Sequence, residues 1–223
     1  MKTGTREFVA APITDERVAT VLKAFVRACN AMVPRLAEVR WLGPGRAAVD
    51  PEQRSTWWIN RTGRLTALAA SVTGLAGALG DRLPVQDALG AAGQGLLLCA
   101  IAHEHGVHDV DTRVRLLAAV LFDREVDPTS ATHTTPVDAP PQRRLGLKPT
   151  AKWLWRQGRL LLAVSDELEK RPHGRFYHRA LGMLPVVGMA GDYLGERAAL
   201  KRAARAGERW LHRHGNSSAP VTH

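Results

Sequence analysis

The sequence predicts an all-α protein, a helical bundle built round a Gly/Ala-rich helical hairpin with a basic C-terminal helix. Apolar residues recur at the three- and four-residue spacing of a helical face along most of the chain, and no pair of segments alternates as paired strands do. Hydrophobic residues make up 45% of the 223 residues. That content provides one good-sized core or two small ones and excludes a chain disordered throughout.

The first two helices are predicted from their end signals. Thr14 caps a long first helix, which is kinked at Pro34 and ended by Gly43–Gly45. Asp50 caps the second helix, and Pro51 suits its first position because that position needs no N–H donor. The apolar face of the first helix consists of Val18, Leu22, Phe25, Cys29, Met32, Leu36 and Val39.

A helical hairpin is predicted where residues 65–80 and 88–102 carry no charge. Each arm reaches only about 22–24 Å, which is shorter than the roughly 30 Å of hydrocarbon in a bilayer. The glycines of the arms predict close helix packing, either in a protein core or in a hairpin that also enters a membrane interface. Burial of the turn at bilayer depth is costly unless its charges are paired. The turn residues are Asp81, Arg82, Pro84 and Asp87.

The segment after the hairpin is rich in histidine and acids. Gly106 is predicted to end the helix, and Asp109 or Asp111 to cap the next one. The spacing does not match the HExxH zinc motif, because Val107 occupies the position of its second histidine. We therefore expect no metal or cofactor here, and the weak candidates for metal binding or acid–base chemistry are His103, Glu104, His105 and His108.

The chain divides by composition. Residues 1–126 are predicted to hold the N-terminal helices and the apolar hairpin, and residues 127–149 to form a Pro/Thr-rich linker or strap. Residues 150–214 are predicted to form basic helices that pack on the same core, followed by a disordered tail at 215–223. In the basic part, Trp153 lies among Lys152, Arg156 and Arg159. That composition is typical of a membrane–water boundary and equally of a helix docked on a core by its aromatics.

The basic charge lies in the C-terminal third. Residues 1–141 carry 15 Lys or Arg and 15 Asp or Glu, whereas residues 142–214 carry 16 against 6, which accounts for the net charge of +10. This asymmetry indicates an anionic partner. Three interpretations of the last helix remain open: a solvated face, a contact with anionic lipid, and non-specific nucleic-acid binding. Its basic stripe is Arg197, Lys201, Arg202, Arg205, Arg209 and Arg213.

Cellular context and activity are predicted as follows. Cys29 and Cys99 stand in apolar helical patterns, which predicts buried thiols in a reducing compartment. The N-terminal residues lack the apolar stretch of a signal peptide, so we expect a cytoplasmic protein, peripheral on the inner face of the membrane. Because nucleophile-elbow, phosphate-loop and dinucleotide motifs are missing, the sequence favours a non-enzymatic protein acting through lipid and protein contacts. The alternative is a soluble helical protein that binds nucleic acid through its basic C-terminal helix.

Four segments around the hairpin and the last helix carry a family likeness: Leu83–Asp87, Ala102–Asp109, Asp111–Ala118 and Leu184–Gly191. They resemble the EcsC family of bacterial helical proteins, in which an apolar helix leads through a turn into an Arg- and Leu-rich helix. His103, Glu104 and His105 stand where that family has an aromatic residue and a glycine. The resemblance covers residues 55–125 and 175–213. It implies an all-helical, membrane-associated protein, accessory to a transport system, with no catalytic residues to assign.

Overall fold

The structure, a computed structural model, describes residues 14–42, 51–74, 85–131, 146–169 and 188–214. Over these residues it is helical and contains no β-strand, which confirms the all-α prediction. Short 3₁₀ turns at Arg40–Leu42 and Pro128–Ser130 accompany the helices. The helices are α1 (Asp15–Glu38), α2 (Pro51–Gly74), α3 (Val85–Glu104), α4 (Val110–Phe122), α5 (Leu147–Glu169) and α6 (Gly188–His214).

The second arm of the predicted hairpin, α3, is the centre of the bundle. It packs against each of the other five helices, and these close a ring around it in the order α2, α5, α1, α4, α6. Every residue of Leu96–Ala102 is buried. A helix that is apolar on all sides must be covered on all sides. Protein provides that cover here. Within the described parts of the chain, no helix has both the length and the apolar character needed to cross a bilayer.

Gly158 and Gly95 are two of the glycines at which helices approach the core closely. A Cβ at Gly158 of α5 would lie 1.8 Å from the backbone oxygen of Ala88 in α3. A Cβ at Gly95 of α3 would lie 2.7 Å from the ring of Phe25 in α1. The predicted close packing of the glycine-rich arm is therefore confirmed at Gly95, and α5 approaches the same helix through a glycine of its own.

The corner between α3 and α4 is built as the sequence predicts. Gly106 has a φ of +73°, and the amide of Val107 donates to the carbonyl of Ala102 at 2.9 Å, which closes the end of α3. Asp109 caps α4 by accepting from the amide of Thr112 at 2.7 Å. That hydrogen bond holds the pKa of the Asp109 carboxyl below its ordinary value.

Other predicted boundaries differ in detail. Thr14 precedes α1, but its hydroxyl makes no capping bond, and its carbonyl accepts from Arg17 and Val18 instead. α5 begins at Leu147, three residues before the predicted boundary at 150. Pro149 is compatible with this start because it falls in the first turn, where no N–H donor is needed. Most of the predicted linker, residues 132–145, and the predicted tail at 215–223 lie outside the described residues.

Basic residues of α2 fix the end of α1. The Arg61 guanidinium donates to the carbonyls of Leu36, at 2.6 Å, and Val39, and Arg64 donates to the carbonyl of Leu42 at 3.0 Å. Cations favour the C-terminal end of a helix because its last carbonyls lack helical partners. Burial lowers the pKa of Arg61, and the neighbouring Arg64 charge lowers it further.

The two cysteines meet inside the core. Cys29 of α1 and Cys99 of α3 are free thiols with no exposed surface, and their side chains lie within hydrogen-bonding reach of each other. Burial raises the pKa of Cys29, and the contact with Cys99 adds to the effect. The prediction of buried thiols is therefore confirmed.

Candidate functional site

The outer side of α6 is cationic. Lys201, Arg202, Arg205, Arg209 and Arg213 are all exposed. At about 100° of rotation per residue, these five side chains fall within an arc of about 120°. They form the α6 basic face.

The buried side of α6 lies opposite this face. Leu200, Ala203, Ala204, Gly207, Trp210 and Leu211 are buried and occupy an arc of about the same width on the other half of the helix. A Cβ at Gly207 would lie 2.6 Å from Cδ2 of Leu98 in α3. The α6 basic face therefore points away from the centre of the bundle.

Arg197, the first residue of the predicted stripe, lies apart from the other five. Its side chain is half-buried and donates to Oδ1 of Asn60 in α2 at 2.7 Å. A four-residue step overshoots one helical turn by about 40°. Arg197 is therefore rotated from Lys201 towards the buried side, where α2 supplies a partner.

Charge is segregated between two sides of the ring. In the side chains described for α2, α5 and α6 (residues 53–69, 146–164 and 197–214), 13 Lys or Arg accompany one acid, Glu208. The opposite side, residues 14–40 and 107–131, carries eight of each sign and includes the ion pairs Lys23–Asp111 at 3.1 Å and Arg124–Asp15 at 2.9 Å. Among these described side chains, one side of the bundle carries no net charge and the other is strongly cationic.

Of the four residues predicted for the hairpin turn, the structure describes only Asp87. Asp81, Arg82 and Pro84 lie outside the described residues. Asp87 is exposed in the first turn of α3, where a carboxylate is favoured by the positive end of the helix dipole.

The histidine-rich segment gathers at one end of the bundle without forming a cluster of ligands. The His103 and His108 rings are 4.9 Å apart between centroids, and His105 faces His212 of α6 at 5.9 Å. Over the described residues, no three His, Cys, Asp or Glu side chains are arranged to hold a metal ion.

Glu104, at the end of α3, contacts the start of α2. Its side chain is 8% exposed and accepts from Nε1 of Trp58 at 3.2 Å and from Nη1 of Arg54 at 3.4 Å. The carboxylate therefore ties the end of α3 to the start of α2. The sequence offers no signal for this contact, because its partners lie 46 and 50 residues away along the chain.

A second buried charge was also missed by the sequence analysis. Arg113 of α4 is 2% exposed and donates to the carbonyl of Val107 at 2.7 Å and to Oδ1 of Asn30 in α1. Burial lowers the pKa of this guanidinium. Its hydrogen-bonding groups are provided by the α3–α4 corner and by α1, so Arg113 joins these elements in the core.

Comparison with models of known protein families, with curated protein sequences and with solved structures finds no match to this chain. The resemblance to the EcsC family remains a prediction that depends on the residues quoted for it.

Proposed function

We propose that the protein binds the anionic surface of a membrane peripherally, through the α6 basic face, and acts there as a non-enzymatic protein. The observation that supports this proposal is the exposure of five cations on one arc of α6, opposite the side that packs on the core. Among the side chains described for α2, α5 and α6, Glu208 is the one acid.

The expected strength suits reversible attachment. Each Lys or Arg close to an anionic lipid surface contributes about 1 kcal/mol, so the face contributes about 5 kcal/mol, or several thousandfold in partitioning. The contribution depends on salt, because charges are screened over about 8 Å at physiological ionic strength.

The proposal places contact on α6 rather than on the hairpin. Insertion of α3 into lipid would require α3 to leave the five helices that bury it. We also propose that the chain is a relative of the EcsC family. That relationship would imply the cytoplasmic face of a bacterial membrane and a role beside a transport system.

Sedimentation with liposomes tests the proposal. The protein should sediment with vesicles of phosphatidylcholine and phosphatidylserine and not with phosphatidylcholine alone, and high salt should release it. The variant Lys201→Gln, Arg205→Gln, Arg209→Gln, Arg213→Gln should lose binding by about three orders of magnitude.

A control variant and a competitor complete the test. Arg17, Arg27 and Arg40 are exposed on or just after α1, and their replacement by Gln should leave binding nearly unchanged. Vesicle binding that survives loss of the α6 basic face would contradict the proposal. Binding of duplex DNA in preference to the vesicles, at equal phosphate concentration, would favour the nucleic-acid interpretation.

A further inference from the structure

The two free thiols of the core meet at the contact between α1 and α3. A Cβ at Gly95 of α3 would lie 2.7 Å from the ring of Phe25 in α1, so the two helices approach closely there. Cys29 and Cys99 each follow this contact by four residues, which is about one helical turn. Their side chains contact each other, and both are fully buried. The pair therefore occupies the next turn of the same helix contact.

The spacing of packed helices suits a disulfide at this position. Helix axes about 8–10 Å apart, with Cα atoms about 2.3 Å from each axis, leave facing Cα atoms about 3.4–5.4 Å apart at closest. A disulfide needs Cα atoms about 4.4–6.8 Å apart. Because Gly95 has no side chain to hold α1 away, rotation of the two thiol side chains is enough to join them.

A buried cation lies beside the pair. Arg113 of α4 is 2% exposed and donates to Oδ1 of Asn30, the residue after Cys29. Its guanidinium interacts electrostatically with both thiols. Burial raises the pKa of Cys29, the contact with Cys99 adds to the effect, and the Arg113 charge opposes both. A thiolate that forms here therefore has a positive charge close to it, which favours a reactive cysteine.

We propose that Cys29 and Cys99 form a redox site that a peroxide oxidises to an intramolecular disulfide between α1 and α3. Because neither thiol has exposed surface, the oxidant that reaches them must be small and uncharged, as hydrogen peroxide is and oxidised glutathione is not. In a reducing compartment such a bond forms transiently and is removed by thiol reductants, which is typical of redox sensing. The α6 basic face plays no part in it.

The oxidation consumes one molecule of hydrogen peroxide per pair of thiols. The thiolate of one cysteine attacks a peroxide oxygen, the O–O bond breaks and a sulfenic acid forms, and the departing hydroxide takes up the proton that the thiol released and becomes water. The second cysteine attacks the sulfur of the sulfenic acid and forms the S–S bond, and its proton leaves with the hydroxide as a second water. The two sulfurs together lose two electrons, and the peroxide oxygens gain them.

Peroxide treatment of the full chain, folded and reduced, tests the proposal. The two thiols, counted afterwards in denaturant, should fall to none, and the intact mass should decrease by about 2 Da. Peptide mapping should show Cys29 joined to Cys99, and dithiothreitol should restore both thiols. Oxidised glutathione at the same concentration should leave the folded protein unchanged and should react with the same thiols in denaturant.

The new bond should also stabilise the fold. It closes the loop between residues 29 and 99 and so removes conformational freedom from the unfolded chain. Tm should therefore rise by about 10 °C on oxidation and return on reduction. The control variants Cys29→Ala and Cys99→Ala keep the core apolar and should show neither the loss of mass nor the rise in Tm.

Four other results would each overturn the proposal. Thiols that stay reduced in the folded protein, at a peroxide concentration that oxidises the denatured chain, would show that the oxidant does not reach them. Disulfides between copies, or oxygen added to one cysteine without an S–S bond, would show that the two thiols do not react with each other. A Tm that stays the same or falls would show that the bond distorts the packing of α1 on α3. Oxidation of the folded protein by oxidised glutathione as fast as by peroxide would contradict a site limited to small oxidants.

Discussion

Gly158→Ala tests the packing of α5 on the central helix. The new Cβ would lie 1.8 Å from the backbone oxygen of Ala88, whereas ordinary contact begins at 3.4 Å. α5 must therefore move by about 1.6 Å, because a backbone carbonyl cannot rotate aside as a side chain does. Overpacking of a core costs about 1–3 kcal/mol, and a clash with backbone puts the cost near the upper end, whereas alanine in place of glycine stabilises a helix by about 1 kcal/mol. We expect a net loss of about 2 kcal/mol, or about 4–8 °C in Tm.

Gly90→Ala is the matched control. It is the same substitution inside α3, but a Cβ at Gly90 would meet no atom within 4 Å. Gly90→Ala should therefore stabilise the protein by about 0.5–1 kcal/mol, because alanine loses less backbone freedom on folding. Both variants are compared by thermal and denaturant unfolding followed by circular dichroism. A Gly158→Ala protein as stable as the unchanged one, or changed in the same direction as Gly90→Ala, would refute the packing described for α5.

Three further predictions follow from single contacts. Asp109→Ala should cost about 1 kcal/mol of stability, and Asp109→Asn should cost less because it still caps. The pKa of Asp109 is lowered in the fold, so its contribution to the free energy of unfolding is present above the ordinary pKa range of aspartate. That contribution is lost as the pH falls through the folded pKa, and denaturant unfolding of the unchanged protein and of Asp109→Ala at a series of pH values measures it. The pKa of Cys29 is raised in the fold, so stability should fall as the pH rises above about 8.5, the unfolded thiol value, and the slope should be shallower in Cys29→Ala. Glu104→Ala removes an acceptor from Trp58 and Arg54 and should cost about 1–3 kcal/mol in denaturant unfolding, whereas Glu104→Gln keeps an acceptor and should cost less.

The element types and several ends are local properties, and the sequence predicts them well. Pro51 at the start of α2, Gly106 at the end of α3 and Asp109 as the cap of α4 all act through atoms within a few residues. The predicted start of α5 was three residues too late. Pro149 was interpreted as part of the linker, because a proline suits both a loop and the first turn of a helix.

The candidate site also combines features that the sequence predicts with features that depend on tertiary contacts. The α6 basic face follows from helical periodicity, which needs only the sequence. The same periodicity rotates Arg197 towards the buried side, but its hydrogen bond to Asn60, 137 residues away, forms only because α2 and α6 pack together. In α5, cations stand beside two tryptophans, which is visible in the sequence. The sequence does not distinguish Trp153, which is fully buried, from Trp155, which is half-buried against the edge of the core.

By itself, the sequence determined that this chain is helical, that its positive charge lies in the last third, and that residues 88–102 must be covered by an apolar environment. It left open whether that cover is lipid or protein, because hydropathy measures only avoidance of water. The tertiary structure shows that the cover is protein, because five helices surround α3. It also placed α2 between the two basic helices, because the order of a ring depends on contacts between residues far apart in the chain.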